Sequence, residues 1–136
     1  MTMQQLTVVL VDDEEEFVST LAERLELRGL RATATTDGEQ GLEAITRLRP
    51  RVAVVDVKMP GIDGLRLLQR IKDLSPGTQV ILLTGHASTQ NGIRGMELGA
   101  FDYMTKPVSI EALLDQINKA AGTPRVGDDD LGTIAP

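Results

Sequence analysis

Cysteine and tryptophan are absent from this 136-residue chain, histidine and tyrosine occur once each, and aromatic residues make up only 2% of it. Without cysteine there are no disulfides, so folding rests on an apolar core. A chain of this length buries about two-thirds of its unfolded surface and needs no structural metal to fold. Long hydrophobic runs are missing as well. The longest are of strand length, far short of the roughly 20 residues that span a bilayer, and the N-terminus carries no basic and apolar leader. These absences lead to the expectation of a soluble, cytoplasmic protein without membrane association. Basic clusters are also missing: 14 Lys and Arg face 20 Asp and Glu, for a net charge of -6. Only Arg47, Arg49 and Arg51 come near one another. Counterion release needs cations gathered on one surface, so no direct nucleic-acid binding is expected.

What the chain does have is a set of short apolar runs, two of which end in carboxylates. Leu6 to Val11 is followed by Asp12-Asp13, and Val52 to Val55 by Asp56. Strand candidates fall at about 6–11, 30–35, 51–56, 78–83 and 101–104, each followed by a stretch with helical periodicity. Glu14 to Arg28 carries Phe17, Leu21 and Leu25 at four-residue spacing. Ile110, Leu113, Leu114 and Ile117 repeat the pattern after Ser109, a predicted N-cap. Gly29, Gly41, Gly61, Gly64, Gly77 and Gly99, with Pro50, Pro60, Pro76 and Pro107, punctuate the units.

Five alternating strand–helix units imply right-handed crossovers and a parallel sheet covered on both faces. The fold expected is α/β, a doubly wound five-stranded layer in the order 2-1-3-4-5, over residues 1–121. From Gly122 the composition shifts to Gly, Pro, Thr and an Asp128-Asp129-Asp130 run. Residues 122–136 therefore read as a disordered tail or the start of a linker.

In that order the first and third strands are neighbours, and ligands of such sheets sit outside the carboxyl ends of the strands. Asp12, Asp13 and Asp56 then crowd one crevice. Clustered carboxylates disfavour one another's ionisation unless a cation intervenes, and an all-oxygen set suits Mg²⁺. The fourth strand ends in Thr84-Gly85 and the fifth is followed by Lys106-Pro107, which brings a hydroxyl and an ammonium to the same place. Cation, ammonium and hydroxyl suit phosphate oxygens, and a carboxylate oxygen can attack phosphorus to give an acyl phosphate. Asp56 is the candidate nucleophile.

Together Val11-Asp12-Asp13-Glu14, Asp56-Val57-Lys58-Met59-Pro60-Gly61-Ile62-Asp63-Gly64, Thr84-Gly85 and Gly99 to Pro107 resemble the receiver domains of bacterial response regulators, over residues 6 to 120. The fold implied is flavodoxin-like, and the strand order is borrowed from this resemblance. It implies that Asp56 takes a phosphoryl group from a histidine kinase, and that Asp13, Asp56 and the Lys58 backbone carbonyl ligate Mg²⁺, with Asp12 helping through water. It further implies that Lys106 pairs with the phosphoryl group, that Thr84 swings toward it, and that Tyr103 rotates inward. The surface of the fourth helix, fifth strand and fifth helix is then remodelled. Lys58 and His86, each two residues beyond a site residue, are expected to tune dephosphorylation.

Plainer roles compete at several positions. Asp63 before Gly64 reads as an N-cap with no chemistry, Tyr103 as a fixed strand residue packed on the fourth helix, and His86 as polar surface. The fourth helix, expected to begin near Ser88, contains Gly92 and Gly95, each costing up to about 1 kcal/mol relative to Ala. Either close packing requires these glycines, or the helix is weak so that phosphorylation can bias it.

The expected function is a phosphorylation-controlled switch of a two-component system, not an enzyme with its own small-molecule substrate, although it would catalyse its own phosphorylation and dephosphorylation. Expected partners are a sensor histidine kinase or phosphotransfer protein, and a downstream effector or separate output domain. Dimerisation on phosphorylation is left open. A degenerate receiver acting as a scaffold would lack a site residue, and none is missing. A haloacid-dehalogenase-like phosphatase would place its nucleophile after the first strand with a second Asp two residues on, where this chain has Glu14. Neither Gly-x-Gly-x-x-Gly nor Gly-x-x-x-x-Gly-Lys-Ser/Thr follows any strand, so nucleotide cofactors are unsupported.

Overall fold

The computed structural model describes residues 5–85 and 89–122. Five strands, β1 (Thr7–Val11), β2 (Arg31–Thr35), β3 (Val52–Asp56), β4 (Gln79–Thr84) and β5 (Asp102–Thr105), alternate with five helices, α1 (Glu15–Glu26), α2 (Gly38–Leu48), α3 (Gly64–Leu74), α4 (Thr89–Glu97) and α5 (Ile110–Ala121). All pairings are parallel, and the sheet order is β2-β1-β3-β4-β5. The expected doubly wound order is therefore the observed one.

Alternation along the central strands builds two cores, because successive side chains leave a strand on opposite faces. Val9, Val11, Ala53, Val55, Val80 and Leu82 meet Ile45 of α2 and Leu67, Leu68 and Ile71 of α3. Val8, Leu10, Val52, Val54, Ile81 and Leu83 meet Val18, Leu21 and Leu25 of α1 and Leu113 and Ile117 of α5. Strands buried on both faces need continuous apolar sequence, which is why β1, β3 and β4 were legible as unbroken runs. The flanking β2 and β5 are more open and more polar.

Polar residues fix where the helices begin and end. Asp63 accepts a hydrogen bond from the Arg66 amide, and Ser109 from the Ala112 amide, each satisfying a free first-turn donor as expected. Asp37 caps α2 in the same way through the Gln40 amide. α1 stops short of Arg28 because Gly29 adopts φ +90° and lets the Leu30 amide turn back to the Leu25 carbonyl. α5 ends at Ala121, and residues 123–136, His86 and Ser88 lie outside the described residues. Among the described residues no helix is long and apolar enough to cross a membrane.

Candidate functional site

Register decides which side chains meet at the carboxyl edge of the sheet. Val11 pairs with Val55, so Asp12 and Asp56 follow one step further on adjacent strands. Thr84 pairs with Thr105, which brings Lys106 to the same rim. The Lys106 amide then donates to the Thr84 carbonyl at 2.8 Å, closing the end of the β4–β5 ladder, and the Lys106–Pro107 bond is cis.

The crevice so formed is acidic. One carboxylate oxygen each from Asp12, Asp13 and Asp56 lies within 4.8 Å of the others. Asp12 and Asp56 are buried and Asp13 is exposed. Lys106 Nζ reaches into the cluster, 2.8 Å from Asp12 Oδ2, 3.0 Å from Glu14 Oε1 and 3.7 Å from Asp56 Oδ1. Asp12 Oδ1 also accepts from the Glu14 amide, which fixes the entry to α1.

Burial, followed by the charge of Asp12, pushes the Asp56 carboxyl up from 3.8 to about 6; Lys106 and the Lys58 amide, which hydrogen-bonds to it, pull the other way, and Asp13 adds a smaller push upward. Burial by itself would lower the Lys106 ammonium, but hydrogen bonds to Asp12 and Glu14 and the nearby carboxylate charges outweigh it, so its pKa is raised. Lys106 alone therefore does not relieve the excess negative charge on Asp56. Three oxygen donors in this state fit a hard divalent cation such as Mg²⁺, because a doubly charged ion offsets the mutual repulsion that one ammonium leaves.

Other predicted residues take distinct places. Thr84 is buried, with its hydroxyl 3.5 Å from the Met104 carbonyl. The Lys58 side chain is exposed and lines a groove of about 490 Å³ with Met59, Pro60, Leu65 and Asn91. Tyr103 is half-buried beside the α2–α3 core, its ring against α4.

The glycines of α4 stand where neighbours leave no room for a side chain. A Cβ at Gly92 would lie 2.4 Å from Tyr103 Cδ2, and one at Gly95 would lie 2.1 Å from a methyl carbon of Leu82. Close packing accounts for both, and a weak helix is not needed to explain them. Gly64 has the same kind of cause with more bearing on the site: a Cβ there would lie 2.4 Å from the Asp56 carbonyl oxygen and 2.6 Å from Val57 Cα. Its amide also donates to the Val57 carbonyl at 2.8 Å. The Asp63-Gly64 pair thus caps α3 and lets it press directly on the backbone that carries Asp56.

Two contacts were missed in the sequence. Glu14 is a direct partner of Lys106, and the Phe17 ring centroid lies 4.6 Å from Lys106 Nζ. The available signal was their three-residue spacing at the start of a helix, immediately after the acidic pair.

The sequence model of the response regulator receiver domain matches residues 8–118. The chain is 35% identical over 97% of its length to the transcriptional regulatory protein YkoG of Bacillus subtilis, of which it spans 58%. It is 36% identical over 87% of its length to the DNA-binding transcriptional regulator NtrC of Escherichia coli, of which it spans 25%. Among solved structures, the receiver domain of the Francisella response regulator 1452 superposes with a TM-score of 0.80 at 32% identity, covering 86% of this chain and 97% of that one. FixJ-N superposes with a TM-score of 0.81 at 32% identity, covering 88% and 95%.

Proposed function

This chain belongs to the response regulator receiver domain family, and from that premise we propose that Asp56 accepts a phosphoryl group from a sensor histidine kinase, a phosphotransfer protein or a small phosphodonor. The observation that carries the reading is the convergence of Asp12, Asp13 and Asp56 within 4.8 Å, with Lys106 at 3.7 Å from Asp56.

A carboxylate oxygen of Asp56 attacks phosphorus in line with the donor bond. The new O–P bond forms as the donor bond breaks, and the donor atom keeps the electron pair. Lys106 is near enough to pair with an equatorial oxygen, and the Thr84 hydroxyl, whose contact with Met104 is long at 3.5 Å, is free to exchange it for another. Asp13, Asp56 and the Lys58 backbone carbonyl would hold Mg²⁺, with Asp12 helping through water. Bound there, the ion supplies positive charge against the transferring oxygens.

The Tyr103 ring packs on Gly92 of α4, and in this reading a shift of Thr84 is passed to it and to the surface of α4, β5 and α5, the output face. The chain acts as a signalling switch without a small-molecule substrate of its own. Lys58 and His86 tune the lifetime of the acyl phosphate. Its partners are a kinase or phosphotransfer protein and an effector or output domain. Its setting is cytoplasmic, and phosphorylation-dependent dimerisation is one form the output can take.

Incubation with acetyl phosphate and Mg²⁺ is expected to give an acid-stable, base-labile phosphoryl adduct by intact mass, lost in Asp56→Ala. A wild-type chain that stays unmodified would favour a scaffold instead.

A further inference from the structure

Lys106 must bring a flexible, strongly hydrated ammonium to one point beside Asp56, yet Asp56 is its most distant carboxylate neighbour. Nζ sits at hydrogen-bond distance from Asp12 and Glu14, at 2.8 and 3.0 Å, and at 3.7 Å from Asp56. The carboxylates set how far the amine reaches. On one side of it lies an uncharged neighbour, the Phe17 ring, whose centroid is 4.6 Å from Nζ.

That contact follows from the helix. Glu14 and Phe17 are three residues apart across the start of α1 and lie on one side of it, so an amine that reaches Glu14 also meets the ring. Phe17 is half-buried against the α1–α5 core. It lines a groove with Leu21, one turn further along α1, and with Val108 and Ile110 from the segment after Lys106. A ring half-buried on this apolar face offers the ammonium an electron-rich face and removes one direction in which it could swing out to water.

We propose that Phe17 is a positioning residue for Lys106, its ring face holding the ammonium in the crevice and thereby setting the rate of phosphoryl transfer to Asp56. The rate part of this rests on Asp56 being the phosphoacceptor; the contact itself does not. A residue that only filled space in the core would be replaced by leucine without consequence for the amine, whereas a ring that holds a cation is replaced by tyrosine and not by leucine.

Two measurements on the whole chain test this. In metal-free wild-type protein, the ε-methylene protons of Lys106 are expected upfield of those of Lys58, Lys72 and Lys119, because they lie against a ring face. Phe17→Leu should abolish the displacement and Phe17→Tyr should keep it. With acetyl phosphate and Mg²⁺, Phe17→Leu should slow adduct formation by about 3- to 10-fold, the range that loss of one partly desolvated cation–ring contact implies. Phe17→Tyr should restore the rate, and circular dichroism melts of both variants check that the fold persists.

Equal rates for wild type, Phe17→Leu and Phe17→Tyr would overturn the proposal, as would a wild-type Lys106 resonance with no upfield displacement. An upfield Lys106 in a wild type that takes no phosphoryl group would overturn the phosphoacceptor reading and the rate claim with it. A phosphorylated wild type whose rate ignores Phe17 would overturn only the present proposal.

Discussion

Asp56 shows what the site costs the fold. Its carboxyl, held at about 6 by burial and then by Asp12, keeps a proton in the native state at pH values where the unfolded chain, with its carboxyl near 3.8, has released it. Stability contributed by this group is therefore present below about pH 4 and is lost as pH rises through 6. Asp56→Asn should stabilise the metal-free protein by about 2 kcal/mol at pH 7 and by little at pH 4, read from urea unfolding in EDTA. A variant that is equally destabilised at both pH values would refute this. Glu14 and Phe17 belong to the same scale: neither is remarkable in the chain until Lys106, some ninety positions away, folds onto both.

At the scale of the element, glycines decide how closely helices approach the site. Gly64→Ala, at the first position of α3, sets a Cβ against the Asp56 and Val57 backbone at 2.4 and 2.6 Å. Backbone offers no rotamer escape, so a net destabilisation of about 2 to 4 kcal/mol is expected, with weakened phosphorylation because the strand end carrying Asp56 must shift. Gly92→Ala meets a side chain instead, the Tyr103 ring at 2.4 Å. The expected result is a displaced ring, visible as altered ultraviolet emission from the only tyrosine in a chain without tryptophan. If propensity alone limited α4, that substitution would raise its exchange protection and leave the emission unchanged.

For the molecule as a whole, the acidic crevice links stability to Mg²⁺ and pH. A ligand that binds only the native state at ten times its Kd adds about 1.4 kcal/mol. Thermal melts should therefore rise with millimolar Mg²⁺ at pH 7.5. The gain should shrink below pH 6, where Asp56 holds its proton and competes with the metal, and should be reduced in Asp13→Asn. A Mg²⁺ effect of the same size at pH 5 and pH 7.5 would contradict an Asp56-containing site. The chain spans 58% of YkoG and 25% of NtrC, so those relatives extend beyond the part this fold matches.

The amino-acid pattern by itself determined the five strand–helix units, because strands buried on both faces must be continuously apolar, and it determined the acid, hydroxyl and ammonium set, because those residues stand at strand ends in a fixed order. Helix caps such as Asp63 and Ser109 were legible for the same local reason. Only the tertiary structure decided the rest. The proximity of Glu14 and Phe17 to Lys106 joins residues some ninety positions apart, and the pressure of α3 on the Asp56 backbone through Gly64 and the seating of Tyr103 on Gly92 each join one element to another. Such contacts depend on strand register and helix placement, which are settled by the packing of the whole sheet and leave no periodicity in any one segment.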